Sequence, residues 1–177
     1  MKKVAKFIAY VFFFLAMVIF FTPKTNLYYK AEQFLQNYKV TVGAESVKDN
    51  GFSLDVSDSV IYAVDGIESA KVDNISIMIL GLYNSVSVEN IVLASAAANF
   101  VPTKVDHLEA TLSIINPINI ALSGYGDFGE MFGSVNLKER HLSITLEPSK
   151  LMKQRFRNTM KMLKKSETGA YVYEYSF

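Results

Sequence analysis

The sequence predicts a mainly β protein: an N-terminal transmembrane helix followed by a single antiparallel β-sheet or sandwich domain with two flanking amphipathic helices. Three observations predict it. A charge-free run of fifteen residues, Phe7 to Phe21, opens the chain. Beyond residue 40, short apolar runs with a period of two alternate with turn signals at roughly ten-residue spacing. No helix of parallel-sheet length lies between those runs, which disfavours βαβ units.

Composition narrows the class. The 177 residues allow one modest domain and an appendage, which excludes a two-domain nucleotide enzyme. Mean hydropathy is +0.19, too apolar for a disordered chain. Without cysteine there is no disulfide framework, thiolate metal site or Cys nucleophile. The net charge of +1 conceals three blocks. Residues 1–39 carry six basic residues and one acid, residues 40–147 carry five and fourteen, and residues 148–177 carry seven and two. An acidic centre between basic ends argues against nucleic acid as a partner, because phosphate contacts need clustered Lys and Arg.

Residues 1–22 read as a cytoplasmic stub and a signal-anchor helix. Phe7, Ile8, Val11, Phe12, Phe13, Phe14, Leu15, Val18, Ile19, Phe20 and Phe21 are the expected membrane-anchoring side chains. With Val4 and Ala5 the run reaches eighteen positions, about 27 Å of helix against a hydrocarbon core of roughly 30 Å. A cleaved signal peptide would need small residues at its cleavage site, whereas this core ends in Ile19-Phe20-Phe21-Thr22-Pro23. The bulky end favours an uncleaved anchor. Lys2, Lys3 and Lys6 precede it, so the positive-inside rule puts the N-terminus in the cytoplasm and residues 22–177 outside.

Residues 23–39 form the next unit. Pro23 stops the first helix, and Thr25 or Asn26 is placed to cap a second. Leu27, Tyr28, Ala31, Phe34, Leu35 and Tyr38 make one stripe, lying on the domain or at the membrane surface.

Residues 40–177 form the β-rich domain. Phe52, Leu54 and Val56 alternate with polar residues, and Val60, Tyr62 and Val64 continue the pattern. Further runs are Val72 to Leu80, Val86 to Ile91, Ala110 to Ile115, Ile118 to Leu122, Val135 to Leu137 and Leu142 to Leu146. Turns are expected at Asp49-Asn50-Gly51, Asp65-Gly66, Gly81, Asn116-Pro117, Gly124 to Gly129 and Lys138-Glu139-Arg140. After Pro148 the period returns to that of a helix. Met152, Phe156, Met160 and Leu163 line one face of 150–165, and Lys150, Lys153, Arg157, Lys161 and Lys164 the other. Glu167-Thr168-Gly169 ends it, and 170–177 is an aromatic terminal strand with Tyr171, Tyr173 and Tyr175 on one face.

Little in the text advertises chemistry. Gly124-Tyr125-Gly126-Asp127-Phe128-Gly129 spells G-x-G-x-x-G, but the helix that a dinucleotide site requires does not follow; a glycine-rich hairpin or bulge is the better reading. His107 and His141 fall in no metal-ligand spacing, and Ser149 in no nucleophile elbow. No catalytic residue, metal or cofactor is expected. The residues expected to touch a partner or lipid are Lys153, Arg157 and Lys161 on the basic face, Tyr171, Tyr173 and Tyr175 on the terminal strand, and Ile77 and Met78 in a run apolar on both faces. The plainer reading of the basic helix is a solvated face of a helix packed on the sheet.

An ordered series of segments resembles a known family. It comprises the anchor, Leu27-Tyr28-Tyr29-Lys30-Ala31-Glu32-Gln33-Phe34-Leu35, Val86-Ser87-Val88-Glu89-Asn90-Ile91, Phe100-Val101-Pro102, Gly126-Asp127-Phe128-Gly129 and Gly133-Ser134-Val135-Asn136-Leu137. Glu147-Pro148-Ser149, the basic helix and Glu167-Thr168-Gly169-Ala170-Tyr171-Val172-Tyr173-Glu174-Tyr175 complete it. The chain is similar to the short form of the type II secretion system protein N family, GspN, and through it to AsmA-like periplasmic proteins. That resemblance implies a single-pass protein of the bacterial inner membrane with a periplasmic β domain. Its expected role is that of an accessory scaffold for an export machine, contacting other secretion or envelope proteins. The alternative, from a different class, is a membrane-tethered lipid or lipopolysaccharide carrier of AsmA or LptC type, which needs an open apolar groove. An enzyme would need a convergent polar site that the sequence does not advertise.

Overall fold

The computed structural model describes residues 2–43, 45–63, 66–166 and 169–177. The chain begins with helix α1 (Lys2–Phe21), none of whose residues is buried, and helix α2 (Lys24–Gln36). Eight strands follow with no helix between most of them: β1 (Val40–Gly43), β2 (Ser46–Asp49), β3 (Ser53–Ala63), β4 (Ile67–Ile79), β5 (Tyr83–Leu93), β6 (Lys104–Ser113), β7 (Asn116–Gly126) and β8 (Gly129–Asn136). Among the described residues, a 3-10 turn at Ser95–Asn99 between β5 and β6 is the one interruption. After β9 (His141–Pro148) come two short helices, α3 (Lys150–Arg155) and α4 (Arg157–Met160), and then β10 (Lys164–Lys165) and β11 (Tyr171–Ser176).

All eleven strands belong to one antiparallel sheet, in the order β1-β3-β4-β5-β6-β7-β8-β9-β11-β10. β2 shares the outer edge of β3 with β1: Val47 pairs with Val56 and Val42 with Ile61. The result is a meander of hairpins rather than a two-layer sandwich. Consecutive strands pair because each hairpin closes a short loop, the least costly way to satisfy the ladder.

One row interrupts the pleat. Ladder pairs are missing at Asp58, Asp73, Asn90 and Asp106, which lie side by side across β3 to β6. Asp58 (φ 57°) and Asn90 (φ 52°) adopt the left-handed conformation that Asp and Asn tolerate better than most residues. The side-chain phase reverses across this row. Leu54 and Val56 face the core before it and Ile61 after it; Ala70 and Val72 precede Ile75 and Ile77. Val60 and Tyr62 therefore do not continue the stripe of Leu54 and Val56, as simple alternation predicts; their neighbour Ile61 does. Val64, Asp65, Glu167 and Thr168 lie outside the described residues, and with them parts of two expected features.

Three other expectations are corrected. The β6–β7 turn is Ile114-Ile115, one step before the expected Asn116-Pro117. Pro117 sits at the start of β7, where it has no β6 partner, as suits a residue without an N–H. Gly124 and Gly126 lie within β7, and the turn proper is Asp127-Phe128. A glycine-rich hairpin is nonetheless what forms: a Cβ on Gly129 (φ 117°) would collide with the Glu147 carbonyl of the next strand. Finally, the basic segment 150–165 is not one helix. It breaks at Phe156 (φ −112°, ψ 37°), and Lys164 and Lys165 leave it to pair with Val172 and Tyr171. The break lets Met152, Phe156 and Met160 all bury against Leu146, Leu163 and Tyr171, so packing overrides helical continuity.

Candidate functional site

Strand pairing defines a face. Antiparallel partners point to the same side of a sheet. Leu54 pairs with Ile77 and Ile77 with Val86, which pairs with Ala110; Ala110 pairs with Leu122 and Leu122 with Gly133. Gly133 pairs with Ile144 and Ile144 with Tyr173. A second such row runs Val56, Ile75, Val88, Leu108, Gly124, Met131, Leu146, Tyr171. Two rows therefore cross from β3 to β11 without a polar side chain. The row between them, Asp55, Ser76, Ser87, Glu109, Ser123, Phe132, Thr145 and Val172, points to the other side and is polar from Asp55 to Ser123.

Two helical units cover the ends of this apolar face and leave its middle bare. At one side Tyr28 of α2 packs on Leu54 and Val56, both fully buried. At the other, Met152, Phe156 and Met160 pack on Leu146 and Tyr171. The α3–α4 unit also reaches the β5–β6 connection, where Thr159 Oγ1 donates to the Phe100 carbonyl. Ser149 fixes its start, accepting from the Met152 N–H at 3.0 Å and donating to the Asp127 carbonyl at 2.6 Å. Between these covers Ile77, Ile79, Val86, Ala110, Leu112 and Ile120 border a depression of about 240 Å³. Val86 is 39% exposed although it points to the apolar side. Enclosed small-molecule sites run from about 300 Å³ upward, so this is an open track. The whole chain exposes 12101 Å², against roughly 8,600 Å² for a compact protein of its mass, and the exposed apolar side chains of α1 are part of the excess.

The track ends beside α1. Lys24 is 2% exposed and clamps the junction. Its ammonium donates to the Ile19 carbonyl at 2.7 Å and to the Thr22 carbonyl at 2.9 Å, capping the last turn of α1. Its backbone N–H donates to Asp49 Oδ2 at 2.8 Å. The Gly51 and Lys24 N–H groups hold the Asp49 carboxyl below the usual range. Phe20 then meets Phe52 edge to face, 5.3 Å between ring centres. Deeper under α2, burial first, and then the charges of Glu45 and Glu32, push the Tyr28 hydroxyl well above its ordinary value. Burial and Glu32 likewise raise Glu45. Each of these two groups perturbs the other, yet Tyr28 Oη and Glu45 Oε2 make no well-formed hydrogen bond.

The residues singled out from sequence fall in two places: Lys153, Arg157, Lys161 and Tyr171 come together, and Ile77 lies apart from them. Ile77 lies in the track, and Met78 faces the opposite side, where it pairs with Ser53 and Ser85. Tyr171, Tyr173 and Tyr175 stand on the apolar face at its β11 margin. Lys153, Arg157 and Lys161 border a depression of about 440 Å³ with Lys165 and Tyr171, over Met160 and Leu163. It lies at the opposite end of β9 and β11 from α1. Val86, Ala110, Leu112, Ile120 and Lys24 were missed. The first four were visible as alternating positions, while nothing around Lys24 in the sequence marks it as buried.

The remaining polar candidates have structural employment. His107 stacks on Tyr125, and His141 Nδ1 lies 3.2 Å from Ser176 Oγ. Among the described residues, no three His, Asp or Glu side chains are gathered as a metal ion requires. No protein-family model matches the chain, and no curated protein or solved structure matches it significantly.

Proposed function

We propose that this protein is a membrane-tethered carrier for acyl-chain amphiphiles, with α1 as its single-pass anchor and the β domain outside the cytoplasm. The observation that carries the reading is the apolar face left bare between α2 and α3–α4. A soluble sheet ordinarily covers such a face or makes it polar, and α1 is long and apolar enough to cross a membrane. In this reading the track from Ile120 to Ile77 takes an acyl chain side-on. The side of the track at the hairpin tips beside α1 is open and faces the bilayer. The bacterial inner membrane and periplasm, suggested by the resemblance to GspN and AsmA-like proteins, belong to the same proposal. Organic extraction of the purified full-length chain, followed by mass spectrometry, tests it. A lipid retained near one per chain and lost in Leu112→Asp supports carriage; equal lipid in both proteins refutes it.

A second reading, an accessory scaffold of a type II secretion-like machine, has one observation in its favour. β10 covers only the Tyr171 and Val172 end of β11, and among the described residues Tyr173 to Ser176 have no strand on their outer side. Such an edge suits strand addition by a partner. Deleting residues 173–177 should abolish partner pull-down from membranes under that reading and leave lipid retention intact.

A further inference from the structure

Hairpin tips in a domain surrounded by water are normally polar, because their backbone groups and side chains face solvent. Two neighbouring tips of this sheet are not. The β4–β5 tip reads Leu80-Gly81-Leu82-Tyr83 and the β6–β7 tip Ile114-Ile115-Asn116-Pro117-Ile118, with no charge in either. Leu82 is 58% exposed, Ile114 59% and Ile115 92%. Neither tip is isolated. The Ile114 N–H donates to the Leu82 carbonyl at 2.9 Å, and the Ile79 N–H donates to the Phe52 carbonyl at 3.1 Å. Phe52 in turn meets Phe20 of α1, and Ile19 lies beside Gly81, 3.6 Å from where its Cβ would stand. An uncharged rim rich in exposed apolar side chains therefore runs from the last turn of α1 across Phe52, Leu82, Ile114 and Ile115. The Lys24 clamp fixes the height of that rim: it is level with Ile19 and Phe20, inside the end of the helix.

We propose that this rim is seated in the lipid of the bilayer that α1 crosses, at the boundary between headgroups and acyl chains. The inference rests on reading α1 as the anchor. A lipid occupant is the one that continues the surface already occupied by α1, and it explains why neither tip carries any of the fourteen acids of residues 40–147. The rim stops where it should. The next tip along the sheet, Leu137-Lys138-Glu139-Arg140, is charged, and the roughly −20° twist per strand turns it away from α1. The basic side chains Lys153, Arg157 and Lys161 lie at the opposite end of the strands, so the domain meets this bilayer through apolar turns rather than through its cations. A rim in lipid also places the open end of the apolar track against the membrane.

Because the chain has no cysteine, single-cysteine probes report one position each. Full-length protein carrying Phe14→Cys, Ile115→Cys or Ile67→Cys, labelled with an environment-sensitive fluorophore, is reconstituted in phosphatidylethanolamine–phosphatidylglycerol vesicles. Quenching by nitroxide-bearing lipid is compared with quenching by aqueous iodide. The expected result is lipid quenching at 115 at least threefold stronger than at 67, approaching that at 14. Lipid quenching at 14 with iodide quenching at 115 overturns the rim while leaving the anchor standing. Iodide access at 14 overturns the anchor reading and the rim with it. Shielding of 115 from both quenchers puts a protein partner on the rim and overturns its occupation by lipid.

Discussion

Replacing Lys24 with Met removes the ammonium that closes the joint between α1 and the sheet while keeping an unbranched side chain of similar length. Two hydrogen bonds are lost, at 2.7 and 2.9 Å, both from a charged donor to helix-terminal carbonyls. Such bonds contribute about 1.5–3 kcal/mol each. Against that, burying an ammonium costs several kcal/mol, and Met is relieved of that cost. The net loss is about 2 kcal/mol of local stability, a factor of about 30 in the population of the opened joint. The global fold need not change, because Tyr28 still packs on Leu54 and Val56. The assay is proteinase K cleavage between residues 21 and 26 of full-length protein in nanodiscs, under conditions where cleavage tracks the open population. Cleavage about 30 times faster than in the parent is expected, with unchanged thermal unfolding of the β domain. A rise below threefold would refute the claim that Lys24 holds the joint.

Further outcomes follow from the burial of individual side chains. Glu45 is held above its ordinary value by burial and by Glu32, so the folded chain keeps a proton that the unfolded chain has lost. Stability therefore falls as pH rises from about 4.5 through the folded value, and Glu45→Gln should raise the unfolding midpoint relative to the parent at pH 7.5 but not at pH 4; an equal offset at both would contradict this. Asp49 works in the opposite sense and only at lower pH, losing its contribution as pH falls below its unfolded value of 3.8. Truncating Leu54, which is fully buried, should cost about 2–5 kcal/mol in a denaturant titration of lipid-free protein in detergent. Truncating Leu112 in the open track should cost about 1 kcal/mol or less, since little packing surrounds it; equal losses would mean the track is filled.

Much of the fold was legible because it is local. The fifteen-residue charge-free run, the stripe through Tyr28 and the repeated alternation of β4, β5 and β6 all express short-range periodicity. What escaped was set by neighbours across the sheet. Nothing in Asp58 or Asn90 says that their left-handed backbone reverses the pleat; the reversal matters only because Asp73 and Asp106 lie in the same row. The Ile114-Ile115 turn looked like strand because turns are read from polar residues, and this one is apolar. The 150–165 stripe correctly marked Met152, Phe156 and Met160 as buried, but not the break at Phe156 that lets them reach Leu146 and Tyr171 together. As for the site, alternation shows that one face is apolar. Which part of that face the helices leave bare depends on where α2 and α3–α4 come to rest, which is a tertiary outcome.

A carrier of the proposed kind holds acyl chains on the apolar side of the sheet and not on the other. Ile77 and Met78 are adjacent in the chain and point to opposite sides, so a photocrosslinking amino acid at each position, in full-length protein in native membranes, separates the sides with one residue between them. Lipid adducts are expected from position 77 and none from 78. Adducts from both in equal yield, or from 78 alone, would contradict that placement.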